Sequence, residues 1–255
     1  MHVLRFLNRR FALCIFTFLS IGLMPDTSVA TEDDFSLAQQ AAARGEYREV
    51  VSILSQVLAD PELVPEQAVV AYANRGIAYS LLNAYALAKQ DLETALALNP
   101  THALTLNHLG LLAEQVDSDY GLAAGFYLRA IEQRFPASQV NLANLFWYGK
   151  GVKRNPKRAF ELYREAAEAG YNMAFVPLGE IYASGDGAPQ NPKRAIELFR
   201  SASKTGVPAA DYHLGFAYEK GRGVAQDLKQ AKRNYQIAAI QGHGEAQNAD
   251  RKSVV

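Results

Sequence analysis

The chain has 255 residues, with 26 Lys and Arg against 26 Asp and Glu, and Cys14 is its one cysteine. A single cysteine excludes a disulfide framework, and with this charge balance we expect no nucleic-acid partner. The charge is unevenly placed. Residues 31–135 carry 6 basic against 14 acidic side chains, and residues 136–255 carry 17 against 11. We expect these charges to populate solvated helix faces, with head-to-tail self-association as the alternative.

The first 30 residues have the pattern of a secretory signal peptide. Arginines precede an apolar run over residues 11–24, and the small residues Ser28 and Ala30 follow it. The run has 14 residues, short of the roughly 20 that a spanning helix needs. We therefore predict a periplasmic or secreted protein without a membrane span after cleavage, and a retained anchor is the alternative. Cys14 lies inside the run, which argues against lipoprotein processing.

The second half of the chain repeats itself at a step of 36 residues. The repeated positions include three glycine or alanine sets and one set of helix-capping residues: Gly151, Gly187 and Gly223; Gly170, Gly206 and Gly242; Ala159, Ala195 and Ala231; Asn155, Asn191 and Asp227. A step of this size indicates a solenoid of stacked units. The capping residues should begin the second helix of each unit, and the glycines of the second set should end it.

From Val69 onward the sequence has the pattern of a tetratricopeptide (TPR) repeat. Its small, aromatic, leucine and proline residues stand at the positions of that repeat, namely Tyr72, Gly76, Tyr79, Tyr85, Ala88, Leu92, Ala95 and Pro100. A repeat before it and one after it are similar, and the three 36-residue units resemble Sel1-like repeats. The resemblance implies an all-α fold, a right-handed α/α superhelical solenoid. It divides the chain into a signal peptide (1–30), about three TPR repeats (31–135), three Sel1-like repeats (136–248) and a C-terminal tail (249–255).

The sequence contains no recognisable catalytic, metal or cofactor motif. After the signal segment its histidines are His102, His108, His213 and His243, and none belongs to a metal-binding or nucleophile pattern. We expect His108 and His213 to be partly exposed structural residues. A secreted, disulfide-rich branch of the Sel1 family is described as acting on penicillin-like compounds, which leaves a hydrolase as the third reading. This chain departs from that branch at every cysteine.

The resemblance places the functional surface on the concave wall formed by the first helix of each hairpin. The positions that it transfers are Asn107, Leu111, Glu114, Gln115, Asn144, Trp147, Tyr148, Glu180, Tyr212, Phe216, Glu219 and Lys220. Aromatic and polar side chains alternate there, as a protein segment requires. We expect an adaptor for envelope proteins, with a peptidoglycan- or carbohydrate-binding module as the alternative. The alternative is that Trp147 or Phe216 packs between neighbouring repeats.

We predict cleavage between Ala30 and Thr31, because the basic segment, the short apolar run and the small residues all indicate one processing event. Intact-mass measurement of protein from the cell envelope should give a chain that starts at Thr31. A mass that retains Cys14 would contradict the prediction.

Overall fold

The computed structural model describes residues 32–246, and α-helices with short connections make up this part of the chain. The helices are α1 Glu32–Arg44, α2 Tyr47–Val57, α3 Pro65–Leu81, α4 Tyr85–Leu98, α5 Ala103–Gln115, α6 Tyr120–Glu132, α7 Pro136–Tyr148, α8 Pro156–Glu168, α9 Phe175–Ser184, α10 Pro192–Lys204, α11 Pro208–Lys220 and α12 Leu228–Ile240. A 3₁₀ turn, Asn172–Ala174, precedes α9. No strand occurs within these residues, so the all-α solenoid class is confirmed. The predicted signal segment lies outside the described residues.

The helices form hairpins that belong to two compact units. Unit 1 ends at Arg134 and unit 2 begins at Phe135. In unit 1, α1 packs on α2, α3 on α4 and α5 on α6; in unit 2, α7 packs on α8, α9 on α10 and α11 on α12. Within each unit, the second helix of one hairpin also contacts the first helix of the next. Each unit is therefore a stack of hairpins.

Within three of the hairpins, a glycine on the first helix faces an aromatic ring on the second. A Cβ atom on Gly179 would lie 2.5 Å from Phe199 Cε1, and one on Gly215 would lie 2.7 Å from the Tyr235 ring. Gly110 meets Tyr127 in the same way, at 2.5 Å. A ring can fill this space only if the facing helix has no side chain there, because interiors are close-packed. The glycine and the aromatic position therefore act as one packing unit.

The predicted helix caps are confirmed in the 36-residue repeats. The side chains of Asn155, Asn191 and Asp227 accept hydrogen bonds from backbone N–H groups in the first turns of α8, α10 and α12. Such bonds satisfy donors that have no partner inside the helix. Each second helix is followed by a glycine with positive φ, namely Gly170, Gly206 and Gly242. The chain thus leaves each helix through a left-handed residue.

The glycine-rich loops pack on the preceding repeat. Gly223 has φ +76°, and a Cβ atom there would lie 2.5 Å from the backbone oxygen of Pro192, the first residue of α10. Gly187 has φ +99°, and a Cβ atom there would lie 2.6 Å from the backbone oxygen of Pro156, the first residue of α8. Both the backbone conformation and the close approach exclude a larger residue. The glycines recur at a fixed step because each of these loops makes the same contact with the preceding repeat.

The middle repeat of unit 2 departs from its neighbours because its proline is displaced. Pro136 and Pro208 stand at the first position of α7 and α11, where a missing N–H costs nothing. The equivalent residue of the middle repeat is Asn172, and its proline is Pro177, five residues later. A 3₁₀ turn forms first, and α9 begins at Phe175. Its first helix is consequently shorter, with 10 residues instead of 13.

A buried ion pair joins the hairpins of unit 1. Arg75 on α3 donates to both carboxylate oxygens of Asp91 on α4, at 2.7 and 2.9 Å, and to the hydroxyl of Ser55 on α2 at 3.0 Å. The Asp91 side chain is 7% exposed. A bidentate pair in this setting is strong and directional, and losing one partner would leave a buried charge. No motif in the sequence predicts this contact.

His108 differs from our expectation of a partly exposed residue, because it is 6% exposed and its Nε2 atom has no protein partner. The equivalent residue in the preceding repeat is Asn74, which is also buried. Burial lowers the pKa of His108 from 6.5 to about 4. His213, in contrast, has a side chain that is 24% exposed, as expected.

The buried His108 should make unit 1 sensitive to acid. Its folded pKa lies below its unfolded value, so its contribution to stability is complete above pH 6.5 and is lost as the pH falls toward 4. Between pH 7 and pH 5 the loss should be about 2 kcal/mol. Urea unfolding of the wild type and of His108→Asn, the residue that the preceding repeat uses, should show a smaller loss in the variant. Equal losses in both proteins would contradict the assignment.

Candidate partner-binding surface

The first helices of unit 2, α7, α9 and α11, form what we call the first-helix wall. Their sequences contain the acidic residues Glu180, Asp211 and Glu219, and Lys220 is their only Lys or Arg. The remaining basic residues of the described part of unit 2 lie on the second helices and in the loops. The two sides of the hairpin stack therefore differ in charge, although the unit as a whole is basic.

An exposed tyrosine and a Glu–His contact lie next to each other on the wall. Tyr148, the last residue of α7, is 65% exposed. His213 Nε2 on α11 lies 2.8 Å from Glu180 Oε1 on α9. Partial burial and the nearby Glu180 carboxylate raise the pKa of Tyr148, so its hydroxyl remains a donor at neutral pH. Three consecutive first helices thus contribute adjacent side chains to one surface.

His213 is held in place from below and from the side. Its ring stacks on Phe199 with centroids 4.8 Å apart and planes 13° apart, and Tyr212 meets it edge-on at 5.5 Å. The ring orientation is therefore fixed by aromatic packing and not only by Glu180. This leaves the Glu180–His213 pair as a preorganised polar feature of the wall.

Tyr212 is partly covered by the end of the described chain. Its ring stacks on His243 at 4.8 Å, and Nδ1 of His243 accepts from the backbone N–H of Ala246 at 3.3 Å, in a helix that begins at Gly244. Burial lowers the pKa of His243, and burial together with Glu245 raises the pKa of Tyr212. One face of the Tyr212 ring is therefore unavailable to a partner.

Glu219, Lys220 and Phe216 lie at the far end of α11. Glu219 accepts from the Tyr235 hydroxyl at 2.7 Å and lies 2.6 Å from Lys220 Nζ, and these two hydrogen bonds lower its pKa. The guanidinium of Arg222 lies 5.5 Å from the centre of the Phe216 ring. The carboxylate of Glu219 thus already has partners within its own hairpin.

Trp147 is half-buried, in contrast to the exposed Tyr148 beside it. Arg154 covers its ring at 5.4 Å and donates to its backbone oxygen at 3.1 Å. Arg154 also pairs with Asp186 in the loop of the next repeat. Asn144, one turn earlier, accepts from the Tyr163 hydroxyl at 2.5 Å. These contacts give Trp147 a role in holding two loops together.

The four expected residues in unit 1 lie on α5 and are described separately. Asn107 is 3% exposed, so it offers a partner almost no surface, which corrects its assignment to an open groove. It lies in the most buried stretch of α5, where the side chains from Leu104 to Gly110 are all buried. Leu111 and Glu114 are half-buried and Gln115 is exposed. Glu114 accepts from the Tyr127 hydroxyl at 3.2 Å.

Comparison with known families agrees with this architecture. The family model of the Sel1 repeat matches residues 106–135, 136–171, 173–207 and 208–243, and the model of the tetratricopeptide repeat matches residues 69–102. The chain belongs to the Sel1 repeat family. Residues 106–135, which the sequence resemblance grouped with the TPR repeats, match the Sel1 model. The repeat fold supports a role as a protein–protein interaction scaffold, and scaffolds of this type are typically non-enzymatic.

Similar proteins come from several bacteria. A Sel1 repeat protein of known structure from Oxalobacter formigenes is 31% identical, with a TM-score of 0.60, over 70% of this chain and 74% of that one. A protective antigen of uropathogenic Escherichia coli with an SLR fold is 23% identical, with a TM-score of 0.59, over 84% of this chain and 50% of that one. A lipoprotein NlpI homolog of Haemophilus influenzae is 29% identical over 140 residues, 54% of this chain and 45% of that protein. This chain spans less than half of that relative.

Within residues 32–246, no helix combines the length and apolar character needed to cross a membrane. In the same residues, no three His, Cys, Asp or Glu side chains converge in a way that could hold a metal ion.

Trp147 and Tyr148 should respond differently to truncation. Trp147→Ala should lower the free energy of unfolding by about 2 kcal/mol, because it removes a half-buried ring and the surface on which Arg154 lies. Tyr148→Ala should change it by less than about 0.5 kcal/mol, because the side chain is exposed. Urea unfolding of both variants measures the difference. A stability loss for Tyr148→Ala as large as that for Trp147→Ala would contradict the two environments.

Proposed function

We propose that this Sel1 repeat protein is a cell-envelope adaptor whose unit 2 binds a segment of a partner protein along the first-helix wall. The observation that supports this proposal best is the exposed Tyr148 beside the Glu180–His213 pair. A large aromatic side chain provides contact area at low entropic cost, and a fixed polar pair sets register. The Glu180 carboxylate already lies against His213 and that of Glu219 against Lys220, so both carboxylates are positioned before a partner binds.

The spacing of the wall suits an extended segment. Neighbouring packed helices lie about 8–10 Å apart, and a chain in the polyproline II conformation advances about 9 Å in the three residues of one turn. Side chains from α7, α9 and α11 would therefore meet every third residue of a segment that crosses the helices in this conformation. A rigid wall of this kind binds without large rearrangement.

The same contacts disfavour the glycan-binding alternative. Glycan binding would use the four aromatic residues among the predicted wall positions, Trp147, Tyr148, Tyr212 and Phe216. Of these, Trp147 lies under Arg154, Phe216 under Arg222 and Tyr212 against His243. One ring face of each is thus occupied from within the chain, and Tyr148 alone among the four is exposed. Among these four residues, only the exposed Tyr148 would leave its ring available for a sugar to stack on. We therefore prefer a protein segment.

The envelope location rests on two observations. The basic and apolar pattern of residues 1–30 is that of an export signal, and one similar protein is named a lipoprotein. We propose a periplasmic or secreted protein, without assigning its partner. The opposite net charges of the two halves also allow head-to-tail self-association.

A photo-crosslinking residue placed at Ser184 tests the wall directly. Ser184 is exposed at the end of α9, at the position equivalent to Tyr148. In cells, Ser184→photo-reactive phenylalanine should crosslink to a discrete protein that mass spectrometry identifies. The same replacement at Lys204, which is exposed on the second helix α10, should not yield that product. A product from Lys204 alone would contradict the proposal.

The identified partner then allows a binding measurement. Tyr148→Ala combined with Glu180→Gln should weaken binding by roughly 30-fold or more, because an aromatic anchor contributes about 2 kcal/mol when truncated. Tyr85→Ala is the matched control, since Tyr85 is an exposed tyrosine in unit 1. Calorimetry measures both. Equal affinity of the wild type and the double variant would remove the wall from the binding site.

A further inference from the structure

The last second helix of unit 2, α12, carries basic and aliphatic side chains on its outer face. Its sequence contains Lys229, Lys232 and Arg233 and no acidic residue. Leu228 and Ile240, at its two ends, are 65% and 87% exposed. Exposed large aliphatic residues beside several cations are not explained by packing within the hairpin, whose buried positions on α12 are Ala231, Tyr235 and Ala238.

These side chains share one side of the helix. Residues advance about 100° around an α-helix, so the outer residues fall within an arc of about 140°. In angular order they are Leu228, Lys232, Gln236, Lys229, Ile240 and Arg233. Lys232 is half-buried and the other five residues of this group are exposed. We call this arc the basic face of α12.

We propose that the basic face of α12 binds the anionic headgroups of a phospholipid bilayer, with Leu228 and Ile240 entering the interface. The helix lies parallel to the bilayer and does not cross it. Cations on an exposed helix face are attracted to an anionic leaflet, and aliphatic side chains beside them strengthen binding by burying apolar area at the interface. This surface is separate from the first-helix wall, so the proposal does not depend on the partner-binding role.

The second helices of unit 2 differ in how their basic residues are balanced by acidic ones. On α8 the basic residues Lys157, Arg158 and Arg164 are matched by three glutamates, and two of these arginines pair with glutamates on the same helix. On α10, four basic residues meet one acidic residue, Glu197. The net charge is therefore zero on α8 and +3 on both α10 and α12, and α12 differs from α10 in having no acidic residue and in its exposed Leu228 and Ile240.

A second copy of the chain is a poorer occupant than a lipid surface. Unit 1 is acidic, but its acidic residues are divided among several helices: α1 begins with Glu32, Asp33 and Asp34, whereas α2 carries Arg48 with Glu49 and α6 carries Arg129 with Glu132. Several acidic side chains are also already paired, such as Asp91 with Arg75. A uniform anionic surface matches three cations and two aliphatic side chains better than this dispersed pattern does.

Sedimentation of the full chain with vesicles tests the proposal. Vesicles that contain phosphatidylglycerol should bind the wild type, and Lys229→Gln, Lys232→Gln and Arg233→Gln together should lower that partitioning roughly tenfold to a hundredfold, since each cation contributes about a fivefold factor. Replacing Lys157, Arg158 and Arg164 by Gln on α8 removes the same charge from a different helix and should have a much smaller effect. Equal losses in the two triple variants would overturn the proposal, because net charge alone would then explain binding.

The aliphatic residues separate a bilayer from an acidic macromolecule. Leu228→Ser with Ile240→Ser should also lower partitioning into phosphatidylglycerol vesicles, while leaving binding to soluble polyglutamate unchanged. Thermal melting checks that each variant is folded, as expected for exposed positions. Binding to polyglutamate that depends on the α12 cations, with vesicle binding that does not, would assign the face to an acidic protein and overturn the lipid proposal.

Discussion

The close approach of the two helices within each hairpin is the contact on which the rest of the stack depends. Gly110, Gly179 and Gly215 leave room for an aromatic ring from the second helix, and in each case a single added carbon would lie within 2.7 Å of that ring. The ring closes the hairpin core, and it also determines what appears on the first helix. Where it is a tyrosine, its hydroxyl reaches a carboxylate four residues after the glycine, Glu114 or Glu219.

The repeats that break this pattern show why it matters. In the middle repeat of unit 2 the ring is Phe199, which has no hydroxyl, and the equivalent of Glu219 is Ala183. The acidic residue of that repeat is Glu180, which pairs with His213 of the next repeat and not with its own second helix. In the hairpins with Tyr127 and Tyr235, the hydroxyl of the core ring binds a carboxylate of the same hairpin. In the hairpin with Phe199, the acidic residue instead contacts the next repeat.

The sequence alone predicted the elements whose causes are local. Caps, left-handed glycines and the 36-residue step depend on residues close in the chain, or on a contact that every repeat makes, such as Gly223 on Pro192. Burial of Asn107 and His108 was not predictable in the same way, because the resemblance assigns a position on the helix and not the side chains that cover it. Trp147 shows the same limit: its position indicates the wall, whereas Arg154 and Asp186, which hold its loop, come from two different repeats. Predicting the Glu180–His213 pair would have required knowing which positions of one repeat contact which positions of the next.

The distribution of charge separates the two sides of unit 2 into different environments. A uniformly basic protein would attract anionic partners to every surface, and a segment bound on the first-helix wall would compete with them. The wall instead carries three acidic residues and one lysine, with Glu180 and Glu219 already paired to His213 and Lys220. Most of the cations lie on second helices and loops. Anionic molecules are therefore attracted mainly to those surfaces, and the first-helix wall is left for specific contacts with a bound segment. A stack of hairpins can keep two such surfaces apart because each repeat contributes one helix to each, so a substitution on one helix changes one surface and leaves the other intact.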